Sequence, residues 1–242
     1  MNSKGKLFAI YGTVAVICVA IISIAMWLRP GVQGSPNTLV VNAGKATEEK
    51  WLPIEKDIEG VNQLGEKVKL SDLKGKVVLL AEFFAVCPHC AQRNGVEMKA
   101  IYDAFGSNPD FRIVCISVDP ANDTPEKLEG YAAAYGADAK NWWFFNAGDE
   151  KKVHEYLEHE LKFMGIRERR DPADIESNGR FAHDLAFQLV DRDWQIVGKW
   201  PLADARSEES MKRQPELYEE LKTHLYGRIR TELAKKPQTV ER

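Results

Sequence analysis

The chain has 242 residues, more than one average domain needs but not enough to demand two. Its 33 basic and 36 acidic side chains nearly cancel, so it lacks the strongly basic face that nucleic acid requires. Four cysteines are too few and too scattered for a disulfide framework.

Residues 1–6 are polar and carry Lys4 and Lys6, and the next 22 positions, Leu7–Leu28, hold no charged residue. A helix of about 20 such residues spans a bilayer. Positive charge on the amino-terminal flank predicts a cytoplasmic 1–6, a single-pass anchor over 7–28, and an exported remainder. The apolar run exceeds the roughly 7–15 residues of a cleaved signal's core, and Ser23–Ala25 is only a weak cleavage triplet. Cys18 follows Ile17, where a lipid-attachment site wants a small residue, and is read as membrane-facing.

Residues 29–50, with "PGVQGSPNT", are linker chemistry. The folded domain is expected over 51–236, with a flexible tail at 237–242. "LGEKVKLSDLKGK" reads as a short hairpin edge and loop. "VVLLAEFF" (Val77–Phe84) suits a buried parallel strand. A helix follows from Pro88 to about Phe105, with Val96, Met98, Ile101, Tyr102 and Phe105 on its packed side. "FRIVCISV" (Phe111–Val118) is a second buried strand. "DTPEKLEGYAAAYG" opens a helix, with Asp123 or Thr124 as cap and Pro125 in the first turn. "WWFF" (Trp142–Phe145) is a third strand and "DEKKVHEYLEHELKF" a third helix. Met164–Ala182 is polar and reads as an irregular excursion. "AFQLVDRDWQIVGKW" is a hairpin about Asp191–Asp193, and a charged helix runs from Glu208 to about Lys235. The sum is an α/β fold, a mixed central sheet flanked by helices. A Cys-x-x-Cys directly after the first central strand makes it thioredoxin-like.

That pair is Cys87 and Cys90, in "CPHC". Cysteines three apart in the first helical turn share a face, and the free amides there favour a thiolate on Cys87. Pro88 fits the first turn, and His89 adds positive charge between the sulfurs. Outside the cytosol such a pair is oxidised unless something keeps it reduced or metallated. One reading is therefore dithiol exchange: Cys87 attacks a substrate disulfide and Cys90 resolves the mixed disulfide. The other is a soft metal ion. A structural zinc site would need four ligands and no second Cys-x-x-Cys exists, but Cu(I) accepts two thiolates and an imidazole. Of the five histidines, His183 precedes a predicted strand on a loop able to fold back over the sheet edge where Cys87 emerges. His154 and His159 lie on a charged helix, and His224 is read as surface. Asp119, at the end of the second strand, is a candidate neighbour of the thiols. Glu82, within the first strand, is a candidate acceptor for a thiol proton if buried. Cys115 is read as an inert buried thiol, and "RERR" (Arg167–Arg170) as a solvated loop.

Three segments, "LSDLKGKVVLL", "ISVDPANDTPEKLEGYAAAYG" and "AHDLAFQLVDRDWQIV", carry a resemblance to the Sco/SenC family from about Val68 to Gly198. These are membrane-anchored thioredoxin-fold proteins that deliver copper to cytochrome oxidase. The resemblance implies copper held by Cys87, Cys90 and His183, as Cu(I) with Cu(II) left open; Asp119, Glu82 and His89 are candidate neighbours of that site by their positions in the chain. It implies an inner-membrane protein with its domain on the periplasmic side. The implied partners are the copper-site subunit of the oxidase and a thioredoxin-like reductant. Two features depart from the family. Only two residues separate the cysteines where the family has Cys-Pro-x-x-x-Cys or Cys-x-x-x-Cys, and Ala85-Val86 replaces its aromatic-Thr before the first cysteine. The absence of proline from "HDLAFQLVD" departs instead from thioredoxin-type oxidoreductases, which place a cis-proline there.

Overall fold

The structure, a computed structural model, describes residues 52–85 and 94–236. Among these, no helix is long and apolar enough to cross a membrane; the expected anchor at 7–28 lies outside them.

Six strands form the central sheet: β1 (Leu52–Pro53), β4 (Val77–Phe83), β5 (Phe111–Ser117), β6 (Trp142–Phe145), β9 (Phe187–Val190) and β10 (Gln195–Trp200). Their order is β1-β10-β9-β4-β5-β6. β4, β5 and β6 run parallel, whereas β9 is antiparallel to β4 and β10 to β9. The expected mixed sheet is therefore present. Every residue of β4 is buried, as the continuous apolar run of a central parallel strand requires. Phe83, Phe111, Phe144 and Phe187 fill the core about it with Trp142 and Trp200.

A hairpin, β2 (Glu59–Val61) with β3 (Lys67–Lys69), precedes β4. It is fastened to the end of β6 by reciprocal backbone bonds between Val61 and Asn146, of 2.8 and 2.9 Å. Gly60 is required here, because a Cβ would stand 2.3 Å from the Asn146 carbonyl oxygen.

Helix α1 (Val96–Phe105) follows the segment 86–93, which lies outside the described residues and contains Cys87, His89 and Cys90. Met98, Ile101 and Phe105 face the core as expected and Tyr102 is half-buried, but Val96 is 54% exposed. Helix α2 (Pro125–Tyr135) begins at Thr124 and ends on Gly136, whose φ of 64° is the left-handed C-cap conformation. Helix α3 (Glu150–Glu155) runs into a π-helical turn, Tyr156–Glu160.

The expected irregular excursion is ordered. Strands β7 (Arg167–Glu168) and β8 (Phe181–Ala182) pair across α4 (Pro172–Asn178), capped by Asp171. Arg169 donates to the carbonyls of Asn178, Gly179 and Phe181 and pairs with Asp174 at 3.3 Å, so "RERR" is not simply a solvated loop. Its order comes from long-range pairing that a polar sequence does not advertise. The expected helix from Glu208 to about Lys235 is likewise broken, into α6 (Glu208–Arg213) and α7 (Leu217–Ala234), and a short helix, α5 (Leu202–Ala205), precedes it. Pro215 removes a backbone donor and disfavours helix at Gln214. Gln214 accordingly has φ −142°, ψ 75°.

Candidate functional site

Sheet register builds the site. Ala81 of β4 pairs with Phe187 of β9 in antiparallel register, so residues leading into β9 run back along those leaving β4. His183 thereby meets Phe84: their rings stand edge-on with centroids 5.5 Å apart. Phe84 also packs edge-on against Phe181. The His183 side chain is 3% exposed, and its Nδ1 lies 3.5 Å from Oε2 of Glu82. Nδ1 also donates to the carbonyl oxygen of Asp184 at 2.8 Å. Because a carbonyl only accepts, this bond puts the proton on Nδ1.

Glu82, apolar-flanked in sequence, is buried in the structure. Its Oε2 accepts the Asp184 N–H at 2.7 Å. Burial pushes its carboxyl above the ordinary value, against the opposing hydrogen bond from His183. Asp184 is the hub that the sequence reading missed. Its carboxylate accepts from the amides of Met164 and Ala186, each at 2.9 Å, and pairs with the ammonium of Lys199 on β10. Its position next to His183 in "AHDLAF" was the only available signal.

The two flanks of the cysteine segment are both tied to this edge. Ala85, two residues before Cys87, donates its N–H to Oδ1 of Asp123 at 3.0 Å. Asn94, four residues after Cys90, donates from Nδ2 to the Leu185 carbonyl at 2.9 Å. Asp123 also accepts from the Ser117 hydroxyl at 2.5 Å. Burial pushes its carboxyl up to about 6, opposed by the bonds from Ser117 and Ala85. Thr124 makes no side-chain cap bond and Asp123 reaches inward instead, so the "DPANDTP" motif supplies a brace for the strand that precedes the cysteines.

The other expected residues fall as follows. Asp119 is buried at the same sheet edge, but its carboxylate faces the Asn122 amide at 2.9 and 3.0 Å and Arg180 at 3.7 Å. It is not brought to His183 by any hydrogen bond. His154 is half-buried, donating from Nε2 to the Val118 carbonyl at 2.7 Å. His224 accepts from the Trp200 indole at 2.9 Å. Cys115 is fully buried between Met98 and Trp142, and burial pushes its thiol up to about 12. Cys87, Cys90 and His89 lie outside the described residues. Among those described, no three His, Cys, Asp or Glu side chains form a metal-binding group on their own. A groove of about 700 Å³ lies between the β2–β3 hairpin and the end of β6, and its lining residue Asn146 donates to the carbonyls of Pro120 and Asp123.

The family model described as SCO1/SenC matches residues 47–216. A protein described as "SCO1 protein homolog" from Bacillus subtilis is 30% identical over 138 residues, covering 56% of this chain and 67% of that protein. BsSco, titled a member of the Sco family of cytochrome c oxidase assembly proteins, superposes with a TM-score of 0.58 at 22% identity, covering 78% of this chain and 98% of its own. ScoI of Bradyrhizobium japonicum, titled with copper bound, gives 0.51 at 21% identity, covering 70% and 98%. At these identities the two structures establish a shared fold.

Proposed function

The chain belongs to the SCO1/SenC family, and from that premise we propose that it is a copper metallochaperone for the assembly of a respiratory cytochrome c oxidase, holding one copper ion through Cys87, Cys90 and His183. The observation that carries this reading is that the residues on both sides of the cysteine segment contact His183 or its loop. Phe84 packs on His183 at one flank, and Asn94 bonds the loop of His183 at the other. With its proton on Nδ1, His183 keeps the lone pair on Nε2, and an imidazole with two thiolates suits a soft cation. Copper bound in ScoI of Bradyrhizobium japonicum and the oxidase-assembly role named for BsSco support the same reading.

In this account residues 7–28 anchor the domain, 51–236, at the extracytoplasmic face of the inner membrane. A thioredoxin-like reductant keeps the dithiol reduced. Binding displaces both thiol protons, and ligand exchange with the copper-site subunit of the oxidase releases the metal.

The Cys-x-x-Cys spacing favours a second reading, dithiol exchange. There the Cys87 thiolate attacks a substrate disulfide, expelling one sulfur as thiolate. Cys90 then attacks Cys87, releasing the second sulfur and leaving a Cys87–Cys90 disulfide.

Anaerobic competition for Cu(I) between the reduced full-length chain and a chromogenic chelator separates the two. The chaperone reading predicts one tightly bound copper per chain and a loss of at least about tenfold, or ~1.4 kcal/mol, in His183→Ala. Weak binding in the parent chain, together with turnover of a disulfide substrate, would leave dithiol exchange. Tight binding indifferent to His183 would remove that residue from the ligand set.

A further inference from the structure

Glu82 is the one charged residue of β4, a strand buried at every position. A buried carboxylate is costly to keep unless it is well partnered, and this one is incompletely so. Its Oε2 takes the Asp184 N–H at 2.7 Å and lies 3.5 Å from Nδ1 of His183. Its Oε1 has no hydrogen-bond partner among the described residues. Stability alone does not account for a glutamate here, because an apolar residue would suit the strand better.

Among the described residues, Nδ1 of His183 faces an oxygen of Glu82 and the Asp184 carbonyl. A proton on Nδ1 satisfies them, whereas a lone pair on Nδ1 would face oxygen lone pairs from two sides. Glu82 also grips the amide of the same Asp184 whose carbonyl takes that proton. Asp184 in turn is fixed by Met164, Ala186 and Lys199. Both of these polar contacts at Nδ1 therefore depend on one carboxylate, while Phe84 packs edge-on against the ring. Carboxylates in this relation orient metal-ligating histidines and fix their tautomer.

We propose that Glu82 is a positioning residue for His183, holding its imidazole in the Nδ1–H form and turned so that Nε2 is the nitrogen offered to the metal. The identity of His183 as a ligand rests on the copper reading; the tautomer does not, and is measured without metal.

The test is long-range proton–nitrogen correlation on the histidines of the uniformly ¹⁵N-labelled, reduced, metal-free full-length chain in mild detergent. The parent chain is expected to carry the proton on Nδ1. In Glu82→Leu, which suits an apolar strand, the ratio of Nδ1–H to Nε2–H forms is expected to fall at least about tenfold, the lower end of what a hydrogen bond to a charged group contributes. Glu82→Gln keeps an acceptor oxygen and is expected to stay near the parent ratio. A proton on Nε2 in the parent, or an unchanged ratio in Glu82→Leu, overturns the proposal. Should Glu82→Leu not fold, Glu82→Met replaces it with the same readout. Cu(I) competition adds a second reading. Glu82→Leu should lose about 10- to 100-fold in affinity, and should lose nothing further in a His183→Ala background. Equal additional loss in that background overturns action through His183. A parent chain that binds no copper but shows the tautomer change refutes the copper reading and leaves the positioning role standing.

Discussion

Asp123 ties the folding of this domain to pH. Its carboxyl is buried beneath Ala85 and Ser117, and it rises from an ordinary 3.8 to about 6. Such a group takes up a proton on folding. Its contribution to stability is complete below about pH 4 and declines as pH rises through about 6. At 1.36 kcal/mol for each tenfold change, the full loss is ~3 kcal/mol. Asp123→Asn removes the charge while keeping an oxygen for the Ala85 amide, and its Nδ2 has the Ser117 hydroxyl oxygen to donate to. The stability of the variant relative to the parent should therefore climb by up to ~3 kcal/mol between about pH 4 and pH 8. Urea unfolding of the full chain in mild detergent, followed by tryptophan fluorescence across that range, measures the difference. Parallel pH profiles would show that the carboxyl is not strained by burial and would refute the reasoning.

Three further outcomes follow from packing and charge. With its thiol pushed up to about 12 and fully buried, Cys115 should resist alkylation in the native chain and react only after unfolding, as mass spectrometry of labelled peptides would show; native labelling would contradict its burial. Lys199→Met strips the buried Asp184 of its partly buried cation and should cost ~3–5 kcal/mol in urea unfolding, with most of the loss recovered in the Asp184→Asn, Lys199→Met double variant. Gly60→Ala drives a Cβ to 2.3 Å from the Asn146 carbonyl and should cost ~1–3 kcal/mol; an unchanged urea midpoint would mean that the hairpin is not clamped to β6.

The strands and their parallel core were legible because they are short apolar runs bounded by turn residues. Val77–Phe83 and Phe111–Ser117 fall within one residue of the expected bounds. His183 was legible as a candidate, and sheet register explains why it approaches the end of β4. What stayed hidden depends on distant pairing. The order of the 167–182 excursion comes from Arg169 and the β7–β8 pair, which no local pattern announces. The sequence offers Asp123 or Thr124 as the helix cap without deciding between them; Thr124 takes the cap position, and the Asp123 side chain is drawn to Ala85, 38 residues away. Asp184 was passed over because an acidic residue beside a histidine looks like loop. Only the convergence of Met164, Ala186 and Lys199 marks it as a buried hub.

The central claim is that Cys87, Cys90 and His183 meet on one copper ion. X-ray absorption at the copper edge, on the full-length chain loaded with one equivalent of Cu(I), tests it most directly. The account predicts two sulfur neighbours and one imidazole nitrogen per copper, with the nitrogen lost in His183→Ala. A shell of sulfur alone, or a nitrogen that persists in the variant, would contradict it.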